Sequence, residues 1–142
     1  MMDILNTIKK LAKVYAENVQ AKASGMTGTE LYEEEEFIPD FNPERQYLNF
    51  KAGYVCKSAA GRLVKLIQPY DSTIYTQQPE ELAAQWGFYW SKDPAKALPF
   101  VALSTSPYDT GDCCTEKGRV YRSKFDGNFH APSAWPEGWE EV

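Results

Sequence analysis

The chain has 142 residues, a formal net charge of −5 at pH 7 and 43% hydrophobic residues. This length predicts one ordinary domain or two very small ones, with enough apolar residues for a packed core. The acidic balance argues against a nucleic-acid-binding protein, which would carry a basic surface.

The first predicted element is a helix over residues 3–22, with Asp3 as its N-cap. Its apolar residues recur at spacings of four, three, four and four: Ile4, Ile8, Leu11, Tyr15 and Val19. This spacing indicates one face of a helix, and the first four positions also suit a short coiled-coil seam. Residues 1–24 are therefore predicted to oligomerise, or to pack on the protein's own body or on another protein.

Residues 25–36 are predicted to be an acidic linker. Small residues surround Gly25 and Gly28, and four consecutive glutamates follow at 33–36. Such a run is most simply a solvated stretch. The alternative, a site for calcium or for a basic partner, lacks the ligand spacing of a known calcium loop.

From Phe37 onward, two copies of one pattern follow each other. The first copy contains Phe50, Gly53, Val55-Cys56, Gly61-Arg62, Val64, Pro79 and Trp86. The second contains Tyr108, Gly111, Cys113-Cys114, Gly118-Arg119, Tyr121, Pro132 and Trp139. The predicted fold is mainly β: an N-terminal α-helix precedes two small, similar, antiparallel β modules in tandem, at 37–92 and 93–142. Trp86, Trp139 and Tyr121 are predicted to be core residues.

The predicted strands are short and separated by turn residues. In the first module they span 54–57, 63–68 and 87–90; in the second they span 100–103, 112–115, 119–124 and 139–142. The three cysteines are predicted to be buried free thiols, which suits a reducing compartment. One histidine is too few for most zinc sites, and His130 has no nearby nucleophile pattern. We therefore expect no metal, no cofactor and no enzymatic activity.

The second copy carries Tyr108-x-x-Gly111-Asp112-x-Cys114, Gly118-x-x-Tyr121-x-Ser123, Gly127-Asn128, Pro132, Trp139 and Val142. In this order these residues resemble the carbohydrate-binding modules of families 5 and 12, the chitin-binding modules of many bacterial chitinases. The resemblance covers residues 108–142, and the first copy is a weaker relative. It implies a small β fold whose exposed aromatic rings stack on sugars.

The whole layout also resembles small proteins encoded by phages and prophages. That resemblance implies a virion structural or accessory protein of a tail, fibre or capsid, which displays the modules and attaches to host-surface glycan. Its implied partners are itself, as a homo-oligomer such as a trimer, other virion proteins, and host cell-surface polysaccharide. Neither nucleic acid nor membrane insertion is implied. No signal peptide is visible, so we expect synthesis in the bacterial cytoplasm and release by lysis.

Two other functions remain open. The first is an assembly protein whose modules bind other virion proteins and no sugar. The second, which is less favoured, is a detached binding module of a glycoside hydrolase.

If a sugar is bound, the second copy is predicted to bind it, through Phe125 and Trp135 with help from Asn128 and Tyr108. An aromatic ring offers a flat apolar face to the C–H groups of a sugar, and polar neighbours can fix its hydroxyl groups. The first copy has Val64 in place of the tyrosine and no aromatic residue directly after it. Two alternatives stay open: Tyr108 as a core residue, and exposed aromatic rings that contact another protein.

Overall fold

The computed structural model describes residues 3–142, in which an N-terminal helix precedes two small sheets. The helices are α1 (Ile4–Lys22) and α2 (Gly28–Glu33). The strands are β1 (Val55–Lys57), β2 (Leu63–Leu66), β3 (Trp86–Phe88), β4 (Leu98–Pro99), β5 (Cys113–Glu116), β6 (Arg119–Ser123) and β7 (Trp139–Glu141). The predicted order of a helix followed by a β-rich body is confirmed. We call residues 37–92 the first unit and residues 93–142 the second unit.

Helix α1 begins after Asp3, whose carboxylate accepts hydrogen bonds from the amides of Leu5 and Asn6 at 3.1 and 3.3 Å. Only its C-terminal end enters the core, where Val19 is buried. The Gln20 side chain both donates to the carbonyl of Val55, at 2.6 Å, and accepts from its amide, at 2.9 Å. The helix thus covers the open edge of β1, which would otherwise present unpaired backbone groups.

Residues 25–36, predicted to be a linker, instead form part of the body through α2. Thr27 and Glu30 make a capping box, in which each side chain accepts a hydrogen bond from the other residue's amide. Leu31 and Tyr32 are buried, and the Tyr32 hydroxyl accepts from the amide of Leu63 at 3.1 Å. The four acids at 33–36 are therefore attached to an ordered helical segment.

The two units repeat one antiparallel pairing, β1-β2-β3 in the first and β5-β6-β7 in the second. Equivalent pairs are Cys56–Val64 and Cys114–Tyr121 in the hairpins, and Leu66–Trp86 and Ser123–Trp139 at the last strands. Val64 therefore occupies the position of Tyr121. The second sheet is mixed rather than antiparallel, because β4 pairs in parallel with β5.

The parallel contact exists in both units, although it is shorter in the first. There Asp40 forms an isolated parallel bridge with Lys57. The Phe41 amide donates to the carbonyl of Lys57 at 2.7 Å, as the Phe100 amide does to that of Thr115 at 2.9 Å. The predicted strand at 100–103 is thus replaced by β4, which ends one residue before Phe100.

Gly53 and Gly111 make equivalent turns before the hairpins. Both have positive φ, at 101° and 95°, a conformation that glycine adopts without a steric penalty. Each donates its amide to the end of the second hairpin strand, at 2.7 Å to Leu66 and 2.9 Å to Ser123.

The core of each unit contains the same triad of aromatic rings. The members are Phe41, Tyr47 and Trp86 in the first unit and Phe100, Tyr108 and Trp139 in the second. Phenylalanine and tyrosine stack at 5.5 Å and 18° in the first unit, and at 5.3 Å and 20° in the second. Tryptophan meets the tyrosine edge-on, at 5.1 and 5.4 Å. Such edge-to-face contacts add to the free energy of apolar burial.

The sequence pattern aligned Phe50 with Tyr108. In the structure, however, the residue equivalent to Tyr108 is Tyr47. Tyr47 is fully buried and its hydroxyl accepts from the amide of Asn42 at 2.9 Å. The Tyr108 hydroxyl accepts from the amide of Val101 at 3.4 Å. Phe50 lies outside the triad, edge-on to Tyr47 at 5.0 Å.

The two units share one core. Trp90 stacks on Phe88 of the first unit at 5.9 Å and on Tyr108 of the second at 4.2 Å. The Arg62 guanidinium pairs with Glu80 at 2.8 Å and also donates to the carbonyl of Pro99, which lies in the second unit. A single buried cluster contains both triads. We therefore expect the units to unfold together.

Candidate functional site

Two predicted site residues, Phe125 and Trp135, form a stacked pair at the surface of the second unit. Their ring centroids are 5.2 Å apart and their planes differ by 25°. Phe125 is 48% exposed and Trp135 is partly exposed. Two large apolar rings are thus stacked on one another at the surface.

The loop after β6 holds Phe125 in place. The Ser123 hydroxyl donates to the carbonyl of Phe125 at 2.8 Å and accepts from its amide at 3.4 Å. The Ser123 amide is itself fixed, because it donates to the carbonyl of Asp112 at 2.8 Å. The ring therefore projects from a turn that is anchored to the sheet.

Trp135 is held by the turn that precedes β7. Its amide donates to the carbonyl of Ala131 at 2.9 Å, and its carbonyl accepts from the amide of Gly138 at 3.0 Å. A Cβ atom on Gly138 would overlap the indole ring. The absence of a side chain at Gly138 therefore lets the indole lie flat against the backbone, in the orientation that stacks on Phe125.

Asn128 is 2% exposed and lies between the two loops that carry these rings. Its side-chain amide donates to the Ser123 hydroxyl at 3.1 Å and to the carbonyl of Gly138 at 3.2 Å, and its oxygen accepts from the amide of His130 at 3.1 Å. These bonds connect the loops of both rings. The prediction of direct help with a sugar is corrected: Asn128 positions the loops and does not reach the surface.

Tyr108 is also corrected, because it is 1% exposed and lies in the core between Trp90 and Phe100. Burial raises the pKa of its hydroxyl group, which stays neutral. Its backbone exchanges two hydrogen bonds with Asn128, at 2.7 and 2.8 Å. A ligand on the surface cannot contact the Tyr108 ring. Tyr108 is therefore a core residue, which was the alternative prediction for this side chain.

A shallow cavity of about 380 Å³ lies beside the ring pair, lined by Asp126, Gly127, His130, Ala134 and Trp135. The Asp126 carboxylate accepts from the amide of Thr110 at 2.9 Å, and this bond lowers its pKa. The carboxylate is therefore ionised at neutral pH and has lone pairs left for a ligand. The imidazole of His130 meets the Trp135 ring edge-on at 5.9 Å. Sequence reasoning did not identify His130 as part of this site.

The predicted core residues are placed as follows. Trp86 and Trp139 are buried, at 0% and 4% exposed, whereas Tyr121 is only partly buried on the face of β6. The indole nitrogen of Trp139 donates to the carbonyl of His130 at 2.8 Å. The closing tryptophan of the second unit therefore also supports the loop that borders the cavity.

The predicted oligomerisation residues are exposed in the single chain: Ile4 at 70%, Ile8 at 56%, Leu11 at 65% and Tyr15 at 43%. They are thus not packed on the body, except that Tyr15 contacts Phe37 at 4.4 Å.

No protein-family model matches the chain, and neither a curated protein nor a solved structure matches it. Among residues 3–142, no helix combines the length and the apolar composition that a membrane crossing requires. Over the same residues, no group of three or more His, Cys, Asp or Glu side chains could hold a metal ion.

Proposed function

We propose that this protein is a phage or prophage virion structural or accessory protein that attaches to host-surface glycan through Phe125 and Trp135. The observation that carries the proposal is the stacked pair of these rings at the surface of the second unit. The virion setting rests on the resemblance of the layout to small phage proteins. Its role is attachment, without chemistry on the glycan.

The geometry suits a sugar in three respects. Phe125 and Trp135 are stacked on one another with planes inclined by 25°, so they form one exposed apolar cluster against which the C–H groups of a pyranose can pack. The adjoining cavity, about 380 Å³, is within the size range of small-ligand sites. Asp126 and His130 border it and can accept or donate hydrogen bonds to hydroxyl groups.

The site is shallow, so the affinity of one module is expected to be weak. Aromatic contacts of this kind contribute on the order of 1 kcal/mol each, and the loss of both rings should weaken binding roughly 10- to 100-fold. The rings lie outside the shared core, so their removal should leave the fold intact.

The test is a pull-down on insoluble chitin and on bacterial cell-wall polysaccharide. The double variant Phe125→Ala, Trp135→Ala should remain in the supernatant while the wild type pellets. Phe129→Ala is the matched control, because Phe129 is 44% exposed in the same loop but is not part of the stacked pair. Circular dichroism checks that each variant is folded.

Two results would overturn parts of the proposal. A folded double variant that still binds would show that the site is elsewhere. A wild type that binds none of the polysaccharides would favour the assembly protein, whose exposed aromatic pair contacts another virion protein instead of a sugar.

A further inference from the structure

We propose that α1 joins copies of this chain to one another through an apolar stripe formed by Ile4, Ile8, Leu11 and Tyr15, flanked by Leu5 and Val14. All six side chains are between 43% and 70% exposed in the single chain. This inference is independent of the glycan site, and only its consequence for avidity rests on the proposed function.

The body covers the C-terminal part of α1 and leaves the N-terminal part of the stripe bare. Val19 and Gln20 face the first unit, as do Ala12 and Ala16, which line a groove of about 620 Å³ against it. Val19 continues the face of the stripe into the body, whereas Ile4, Ile8 and Leu11 lie N-terminal to this contact and are between 56% and 70% exposed. Large apolar side chains exposed next to one another on a helix form a surface that a partner can cover.

The base of the stripe is held rigidly. The Tyr15 ring packs on Phe37 at 4.4 Å, and its hydroxyl donates to the Glu34 carboxylate at 2.9 Å. The Asp3 cap fixes the other end. The helix therefore extends from the body as a preformed element, so less conformational entropy is lost when a second helix packs against it.

The spacing of the stripe is that of a coiled-coil seam. Spacings of four, three and four place Ile4 and Leu11 at d positions and Ile8 and Tyr15 at a positions. Such residues pack into the holes of a partner helix with the same repeat. A second α1 supplies that repeat.

The charges of α1 are compatible with pairing to a second copy. Charged residues at the flanking e and g positions select partners and repel like chains. Here those positions are uncharged: Leu5, Thr7, Ala12 and Val14. Lys9, Lys10 and Lys13 fall at the outer b, c and f positions, so two identical helices can pack without bringing their lysines together.

The available area fits a reversible association. At these exposures the six side chains offer roughly 600 Å² per copy, against about 800 Å² per partner in a standard interface. We therefore expect oligomers that dissociate on dilution in the micromolar range. Linked copies would bind an insoluble glycan more tightly than one copy does, because each further contact is intramolecular.

The first experiment measures molar mass by sedimentation between about 1 and 100 μM. The wild type should shift from monomer to dimer or larger, whereas Ile8→Asp, Leu11→Asp should remain a monomer. Lys9→Asp, Lys10→Asp is the matched control, since it places two aspartates in the same turn on the outer side and should still associate. Because the stripe does not enter the core, near-ultraviolet circular dichroism should be the same for all three proteins. A wild type that is monomeric at every concentration would overturn the proposal.

The second experiment shows which face is paired. Under mild oxidation, Leu11→Cys should give covalent dimers and Lys10→Cys should not. The three native cysteines are buried and do not compete. Equal cross-linking of the two variants would contradict pairing along the stripe. So would a wild type that is monomeric alone but pellets with anionic lipid vesicles, which would assign the stripe to a membrane surface.

A pull-down on polysaccharide then separates this inference from the proposed function. If both hold, the stripe variant should bind insoluble glycan at least tenfold more weakly than the wild type, with unchanged affinity for a soluble oligosaccharide. If no glycan binds, the mass and cross-linking results still decide self-association.

Discussion

The two units have the same core and different surfaces. The aromatic triads, the turn glycines and the hairpin registers correspond position by position. Counting from the shared strands, however, Gln68 of the first unit stands where the second has Phe125, and Leu82 stands where it has Trp135. Leu82 packs against the core, and the Gln68 side chain donates to the carbonyl of Ala84. The duplicated interior is explained by packing, whereas only the second unit has an aromatic pair at these two positions.

The largest expected effects test whether the two cores are equivalent. Trp86→Ala and Trp139→Ala each remove a buried indole that meets two other rings of its triad. Each should lower the free energy of unfolding by about 3–5 kcal/mol, in a single transition, because the units share one core. Denaturant unfolding followed by tryptophan fluorescence and circular dichroism measures this. A variant that loses less than about 1 kcal/mol would contradict the equivalence of the two triads. A variant that unfolds in two steps would contradict the shared core.

The turn glycines should give the next largest effects. Gly53→Ala and Gly111→Ala force a side chain into positive φ, which costs about 1–2 kcal/mol. Gly111→Ala should cost more, because its Cβ would lie 3.2 Å from the Lys92 side chain while nothing lies near that of Gly53. Gly25→Ala is the control, as it has no positive φ and open space around it. Equal stability of all three variants would remove the argument for equivalent turns.

A smaller effect sharpens the assignment of Tyr47 as the counterpart of Tyr108. Tyr47→Phe leaves the partly buried amide of Asn42 without its acceptor and should cost about 1–2 kcal/mol. Tyr108→Phe should cost less, because its hydrogen bond is 3.4 Å long. Phenylalanine keeps the ring in each triad, so any difference in unfolding free energy reports on the hydroxyl group alone. The reverse order of effects would contradict the geometry.

The smallest effect concerns a position where the units differ chemically: Tyr54 in the first and Asp112 in the second. Burial raises the pKa of the Asp112 carboxyl group in the folded protein. At a pH above about 4, the pKa of an aspartate in the unfolded chain, Asp112 loses its proton more readily in the unfolded chain than in the folded protein. This difference favours unfolding, so Asp112 lowers the stability of the folded protein at neutral pH. Asp112→Asn can still accept from the amide of Asp109. It should therefore gain stability relative to the wild type at pH 7 but not at pH 3.5, which thermal unfolding at both values measures. A difference that does not change with pH would show that Asp112 ionises as freely in the fold as outside it.

The sequence pattern was sufficient for those features that depend on local chemistry. Asp3 and the apolar spacing of α1 predicted the helix, and the turn glycines with the closing tryptophans predicted the repeated hairpins. The roles of Phe41 and Phe100 in the aromatic triads were not predicted, since their parallel contacts span one or two residues and leave no alternation to detect. Helix α2 was missed although Thr27-x-x-Glu30 is a visible capping signal.

The candidate site shows the same division. Phe125 and Trp135 were predicted as exposed rings, but their mutual stacking depends on loop geometry that no spacing reveals. Tyr108 and Asn128 were misassigned because a short polar or aromatic residue near a turn can face either way. Their burial follows from the shared core and from the hydrogen bonds of Asn128 to both loops.

The most direct test of a glycan site restricted to the second unit is a titration with a soluble chitin oligosaccharide, followed by NMR of the four indole N–H groups. Trp86, Trp90 and Trp139 each donate this group to a protein acceptor and are buried. The indole of Trp135 should therefore show the largest shift, that of Trp139 a smaller one through His130, and that of Trp86 none. A shift at Trp86 that equals or exceeds the shift at Trp135 would contradict the account.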